Sequence, residues 1–167
     1  MAGYKGHIAG AVALNTVYVA AISIGPSTVA NFTNGLLSDW QLLAGLFITA
    51  ILFGLWPDVD TNSAGQNLFF AIAFTMDILL IVTGRFEAAA YLGLLAMTPI
   101  VGKHRGWTHS FIAMLLVPLP IVIVTFAYSP NKVGIGLLIY GAAVAGYFSH
   151  LLLDGRVLRK LRIKSTR

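Results

Sequence analysis

Charged residues are scarce in this sequence. Only 10% of its 167 residues are charged, whereas 57% are hydrophobic, and the mean hydropathy is +0.82. Soluble domains carry about 25% charged residues. The composition therefore argues against an ordinary water-soluble domain and indicates a chain that lies mostly in a membrane.

Cysteine is absent, which excludes disulfides and thiolate metal ligands. The redox compartment stays open, because both oxidising and reducing compartments hold proteins without cysteine. The ionisable residues that remain are few: the sequence has 4 histidines and 6 acidic residues. Any metal site in this chain must use imidazole and carboxylate groups.

Six apolar stretches are separated by short polar or glycine- and proline-containing segments. A bilayer core about 30 Å thick needs roughly 17–25 residues per helix, and a backbone in lipid must satisfy its own hydrogen bonds. We therefore predict an all-α, polytopic membrane helix bundle of about six (five to six) transmembrane helices. The short third and fourth stretches form either a tilted hairpin or a re-entrant pair. The stretches are 8–24, 40–56, 68–83, 88–101, 111–128 and 133–153.

The first stretch follows Lys5 in the manner of a signal peptide. No charged residue occurs between His7 and Asp39, which suits a helix that stays in the membrane. We expect a retained span.

A basic tail follows the last stretch. We assign residues 1–154 to a membrane-embedded helical domain and residues 155–167 to a basic cytoplasmic tail. Such a tail could bind nucleic acid or anionic lipid, but directly behind an apolar stretch it is first a topology signal. We expect membrane lipid as a partner and no nucleic acid; the oligomeric state stays open. Six of the eleven basic residues lie in it: Arg156, Arg159, Lys160, Arg162, Lys164 and Arg167.

Basic residues also predict the orientation. With six spans, both termini share a face with the 57–66 and 101–109 connections. That face carries the six tail residues with Lys5, Lys103 and Arg105, nine in all, against Arg85 and Lys132 on the other. Positive residues favour the cytoplasmic side, so we predict a multi-pass protein of the cell inner membrane with both termini cytoplasmic.

All four histidines and three aspartates fall at span ends on this predicted cytoplasmic face. Four separate segments supply them, so parity alone brings them to one plane. The last pair is spaced i,i+4, which puts both side chains on one helical face. The seven residues are His7, Asp58, Asp60, His104, His109, His150 and Asp154.

Imidazole and carboxylate groups together suit zinc, manganese or non-haem iron. Seven candidates exceed the four ligands of one tetrahedral ion, so either two ions share them or some aspartates orient histidines by hydrogen bonds. A lone histidine at a span end is more often an interfacial anchor. Here almost no other histidine or acidic residue remains for ordinary surface positions, which favours the metal interpretation. Zinc is the first choice of ion.

Neighbouring residues have alternative interpretations. Arg105 could clamp a phosphate or extend towards lipid headgroups. Thr108 and Ser110 could bind substrate, but we favour a role in capping the fifth helix. Asp77 lies mid-span, about 14 Å from the cytoplasmic end of its helix. We therefore expect it outside the metal site, in a packing role.

Four motifs carry a resemblance to a known family: Gly6-His7, Pro57-Asp58-Val59-Asp60, His104-Arg105-Gly106-Trp107-Thr108-His109-Ser110, and Gly146-Tyr147-Phe148-Ser149-His150 with Asp154. In this order they resemble the YdjM-type family, described as inner-membrane, metal-dependent hydrolases. The resemblance implies that the seven histidines and aspartates named above are the metal-site positions. A distant similarity to the helical zinc phospholipase C and nuclease group would imply phosphoester hydrolysis.

The sequence thus predicts a membrane-bound metal-dependent hydrolase that acts on a phosphoester of a lipid or lipid-linked, amphiphilic substrate at the cytoplasmic face. Arg105 would stabilise the anionic transition state, and Asp60 would contribute to catalysis beside the metal. Two alternatives stay open. One is a divalent-metal transporter, which should hold its ligands near the midplane. The other is a non-catalytic membrane protein with a structural metal site.

The topology can be tested with single cysteines, because the natural chain has none. We expect Asn62→Cys and Lys103→Cys to react with a membrane-impermeant thiol reagent only from the cytoplasmic side, and Lys132→Cys only from the opposite side. Labelling of positions 62 and 103 from opposite sides would contradict a shared site.

Overall fold

The structure is a computed structural model that describes residues 3–24, 39–59, 64–101 and 107–155, with side chains of the third range described to residue 98. These residues form helices and turns and contain no β-strand. The helices are α1 (Tyr4–Ser23), α2 (Trp40–Leu55), α3 (Ala64–Val82), α4 (Phe86–Val101), α5 (Phe111–Leu116), α6 (Leu119–Tyr128) and α7 (Val133–Leu153), with 3₁₀ turns at Trp56–Asp58 and Pro130–Lys132.

The predicted all-α membrane bundle is confirmed. Five segments of the described chain are long and apolar enough to cross a bilayer, and α4 supplies a shorter apolar helix. Large apolar side chains such as Trp40, Ile112 and Val82 lie on the outside, where lipid replaces water as the surrounding medium. The five segments are Tyr4–Ser23, Trp40–Asp58, Ala64–Val82, Phe111–Tyr128 and Pro130–Leu153.

The predicted fifth span is one segment but two helices. Pro118 separates α5 from α6 because its ring nitrogen has no hydrogen to donate to the preceding turn. Ser110 begins α5: its Oγ accepts a hydrogen bond of 3.0 Å from the Ala113 amide. The predicted capping role is thus confirmed for Ser110.

The centre of the bundle is formed by α1, α2 and α7, which pack along one another. Glycine allows the backbones to approach closely. A Cβ atom on Gly146 would lie 2.0 Å from the carbonyl oxygen of Ala50, and one on Gly54 would lie 2.9 Å from the Cβ of Ala11. The last turns of α2 and α7 and the first turns of α1 are therefore held together at one end of the bundle.

The remaining helices flank this centre. A turn with Gly84 at φ +73° reverses the chain between α3 and α4, and these two helices form a hairpin, while α6 packs against α7. The indole Nε1 of Trp56 donates a hydrogen bond of 3.1 Å to the carbonyl of Leu95 and so ties the end of α2 to α4. This antiparallel order brings the start of α1, the end of α2, the start of α5 and the end of α7 to one end.

Close packing at Gly146 gives a test of the fold. Gly146→Ala should lower the free energy of unfolding by about 1–3 kcal/mol, because the added methyl group overlaps the Ala50 backbone. Gly45→Ala is the matched control: nothing lies within 4 Å of its Cβ position, and alanine should stabilise the helix by about 0.5–1 kcal/mol. Thermal unfolding in detergent measures both. Equal effects at the two positions would contradict the close approach of α2 and α7.

Candidate metal centre

His150 occupies the last turn of α7 with its side chain fully buried. Its Nδ1 donates a hydrogen bond of 2.8 Å to the carbonyl of Gly54 on α2. This bond fixes the ring and leaves Nε2 directed towards the centre of the site. A histidine ligand whose other nitrogen donates to a carbonyl is the usual arrangement at metal sites in proteins.

Asp154 lies one turn after His150, and Gly155 follows it at φ +69°, where the helix ends. Its side chain is only 3% exposed, and its Oδ2 lies 3.4 Å from His150 Nε2. The hydrogen bond to His150 lowers the pKa of the Asp154 carboxyl against the opposing effect of burial. The carboxylate is therefore ionised at neutral pH.

His109 is carried by the turn before α5 and is held from two sides. The Tyr147 hydroxyl on α7 donates a hydrogen bond to the carbonyl of Thr108. The Thr108 hydroxyl lies 3.1 Å from His109 Nδ1, so the predicted capping role of Thr108 is wrong: its hydroxyl contacts the imidazole. Both Tyr147 and Thr108 are buried. Together they orient His109 Nε2 towards the site.

Asp58 is the last residue of the 3₁₀ turn Trp56–Asp58 that follows α2, and Pro57 is the middle residue of this turn. Gln66 at the start of α3 donates a hydrogen bond of 2.9 Å to the carbonyl of Val59 and fixes the chain just beyond. The Asp58 side chain is 30% exposed, whereas those of His109, His150 and Asp154 are 0–4% exposed. Asp58 is therefore the most exposed of the four residues.

Four ligand atoms from these residues face a common centre. Asp58 Oδ1 lies 3.3 Å from His109 Nε2 and 3.6 Å from His150 Nε2. Asp154 Oδ2 lies 3.5 Å and 3.4 Å from the same two atoms, which are 3.3 Å apart. One ligand atom from each residue lies within 4.8 Å of all the others.

These spacings fit a tetrahedral ion. A regular tetrahedron has edges of 1.63 times the centre-to-corner distance, so metal–ligand bonds of about 2.0–2.2 Å give edges of about 3.3–3.6 Å. A tetrahedron has six edges, and the five separations above fall in this range. For the sixth, between Asp58 and Asp154, the ligand oxygens lie within 4.8 Å of each other. Asp58, His109, His150 and Asp154 thus form a group that could hold a metal ion.

The lone pairs of the group also favour a bound cation. With Nδ1 of His150 committed to the Gly54 carbonyl, its Nε2 can face a carboxylate only if it carries a proton or binds a metal. Both carboxylate oxygens and the second imidazole nitrogen offer lone pairs to the same centre. A bound cation would replace the proton between these lone pairs.

His7 lies beside this group. It opens α1, it is 1% exposed, and its ring stacks on that of His150 with 4.0 Å between centroids. Its Nε2 is 3.8 Å from Asp58 Oδ2 and 3.7 Å from Asp154 Oδ1. Each aspartate thus turns one oxygen towards the His109–His150 pair and the other towards His7.

The structure therefore brings together five of the seven predicted ligands. Asp60, His104 and Arg105 lie outside the described residues, as does the basic tail after Gly155. Asp77 lies within α3 and is not part of the described ligand group. Sequence reasoning missed Tyr147 and the Gly54 carbonyl, because an aromatic residue and a glycine inside apolar helices carry no polar signal.

The fold and this site define a class: a polytopic membrane protein with a histidine–aspartate group at one end of its helix bundle that could hold a metal ion. A family model described as YdjM inner membrane protein matches residues 1–159. The chain belongs to this family, as the motifs predicted. No curated protein and no solved structure matches the chain at a significant level.

Removal of one carboxylate charge tests the ligand group. Asp154→Asn should lower zinc affinity by at least about a hundredfold, because it removes a charged ligand from a buried site. Asp77→Asn is the matched control, since the same change falls on an acid outside the group, and it should retain the zinc content of the natural protein. Mass spectrometry of metals after equilibrium dialysis measures both. Equal zinc contents would contradict the assignment of Asp154.

Proposed function

We propose that this protein is a membrane-bound metal-dependent hydrolase that acts on a phosphoester of a lipid or lipid-linked molecule at the cytoplasmic face. The observation that carries the proposal is the convergence of Asp58, His109, His150 and Asp154: five separations between their ligand atoms are 3.3–3.6 Å, the edge lengths of a tetrahedral metal site. Everything else in the proposal extends this arrangement.

Zinc suits this group best. Two imidazoles and two carboxylates without sulfur match its ligand preferences, and the spacings match its bond lengths; manganese would accept the same ligands. When bound, such an ion polarises a phosphoryl oxygen and lowers the pKa of water, which is the chemistry that phosphoester hydrolysis needs. The chain itself contributes the hydrogen bonds that fix both imidazoles.

A second ion would make the site more competent for hydrolysis. The remaining oxygens of Asp58 and Asp154 face His7 Nε2 at 3.8 Å and 3.7 Å, so each aspartate could bridge two ions, as carboxylates do in two-metal hydrolases. His7, Asp58 and Asp154 could contribute ligands to a second ion.

The direction of substrate approach follows from exposure. Only Asp58 among the four ligands is substantially exposed, at 30%, so the phosphoester would reach the metals from its side. We retain catalytic roles for Asp60 and Arg105, the latter as a planar donor to the phosphate oxygens.

The location of the site favours an amphiphilic substrate. Asp58 and Asp154 follow the ends of α2 and α7, where apolar helix gives way to the polar membrane boundary. A lipid phosphoester places its headgroup at this depth. The basic residues that flank these ends in the sequence support the cytoplasmic side.

Hydrolysis can be measured on purified protein in mixed micelles. We expect the zinc-loaded protein to release headgroup or phosphate from phosphatidylglycerol or phosphatidic acid, and Asp58→Asn to reduce this to background. Asp39→Asn is the matched control, because Asp39 caps the far end of α2 through the Gln41 and Leu42 amides, and asparagine caps a helix equally well.

Two results would contradict the proposal. Zinc that stays bound without hydrolysis of either lipid would support a structural metal site. If the protein carries zinc into vesicles and this uptake depends on Asp58, the protein is a divalent-metal transporter. The positions of the ligands at helix ends rather than near the midplane argue against that outcome.

A further inference from the structure

A large apolar cavity lies between α4 on one side and α2, α5 and α6 on the other. Its volume is about 590 Å³, within the range of about 300–1,000 Å³ typical of ligand sites. It is separate from the ligand group: none of the five clustered histidines and aspartates lines it. The described helices pack without filling it, because α4 lies along α3 whereas α6 lies along α7.

The wall of the cavity is mostly apolar; its polar groups are the hydroxyls of Thr49, Tyr91, Thr98 and Thr125 and the indoles of Trp56 and Trp107. The hydroxyls of Thr98 and Thr125 bond the carbonyls of Leu95 and Ile121 in their own helices at 2.7 Å and 2.6 Å. The Trp56 indole is bonded to the Leu95 carbonyl. The remaining lining is predominantly aliphatic and aromatic. A polar ligand would lose most of its hydrogen bonds to water there, so the wall favours hydrocarbon.

One end of the cavity lies next to the ligand-bearing turns. Trp56 and Trp107 line it and meet edge to face with 5.7 Å between ring centroids. Trp56 stands two residues before Asp58, and Trp107 two residues before His109. The aromatic pair therefore connects the apolar cavity to the segment that carries Asp58 and to the segment that carries His109.

The other end reaches towards the opposite membrane face. The cavity extends along α4 from Thr98 to Ala88, ten residues that rise about 15 Å. Leu94 lines the cavity and is 64% exposed, so the cavity also opens sideways between α4 and α6, where the surrounding medium is lipid. An elongated hydrocarbon chain could enter from the bilayer without crossing water.

We infer that this cavity binds the aliphatic chain of the amphiphilic phosphoester and places its headgroup beside Asp58 and His109. The inference rests on the proposed function for the identity of the headgroup, whereas binding of the chain depends on the cavity alone. The protein then distinguishes substrates by chain length: a long chain fills the cavity from the tryptophan pair to Ala88, and a short chain leaves the deep end empty.

A photoreactive probe tests chain binding without hydrolysis. The probes are hexadecyl phosphate and octyl phosphate, each with a diazirine on its chain, added to metal-free protein in vesicles of phosphatidylethanolamine and phosphatidylglycerol. We expect the long probe to label cavity residues of α4 and α6. Labelling spread evenly over lipid-facing residues outside the cavity, such as Ile112 and Phe126, would overturn the inference.

Ala88→Phe fills the deep end and has a matched control. It should reduce labelling of the cavity by hexadecyl phosphate about tenfold, which corresponds to about 1.4 kcal/mol, and leave octyl phosphate unaffected. Ala90→Phe adds the same ring two residues away, on an exposed position outside the cavity, and should leave both probes unaffected. Equal labelling of the two variants by the long probe would overturn the inference.

A second pair of substitutions, on the facing wall of the cavity, keeps the inference testable if Ala88→Phe does not fold. Val124 lines the cavity, whereas its neighbour Ile123 is 57% exposed and lies outside it. Val124→Phe should reduce labelling by the long probe, and Ile123→Phe should not. Chain binding that follows this pattern in a protein without hydrolytic activity would keep the cavity assignment and remove only the proposed reaction. Hydrolysis indifferent to chain length and to both pairs would keep the reaction and overturn the cavity assignment.

Discussion

The hydrogen bond from His150 Nδ1 to the Gly54 carbonyl is the contact on which the site depends. It exists because α2 and α7 approach so closely that no Cβ fits at Gly146, while the lack of a Cβ at Gly54 lets Ala11 of α1 pack against the same turn. The same bond fixes the tautomer of His150 and presents Nε2 to the other ligands. Helix packing in the apolar interior thus sets the positions of polar groups at the membrane boundary.

The two halves of the bundle have different tasks. In α1, α2 and α7, small residues allow tight packing, and the helix ends supply His7, Asp58, His150 and Asp154 to the site. The helices α4, α5 and α6 pack more loosely and enclose the apolar cavity. In the proposed function, the tightly packed helix ends would hold the metal and the apolar cavity would accept a flexible chain.

The sequence predicted what local rules decide. Apolar length gave the spans, and parity with the i,i+4 spacing of His150 and Asp154 brought five predicted ligands together. Contacts between helices could not be predicted from the sequence. The hydrogen bond from Tyr147 to the Thr108 carbonyl, the hydrogen bond to the Gly54 carbonyl and the cavity all depend on which helices are neighbours. The division of the fifth span was open to prediction, since Pro118 interrupts a helical hydrogen bond. The role of Thr108 depended on the orientation of the His109 ring.

X-ray absorption by the zinc-loaded protein tests the central claim most directly. Two imidazoles and two carboxylates around one ion predict a first shell of nitrogen and oxygen at about 2.0–2.2 Å, with outer-shell scattering from two imidazole rings that is lost in part when His109 is replaced by alanine. A shell of oxygen alone, without imidazole scattering, would show that zinc binds elsewhere and would contradict the account of this site.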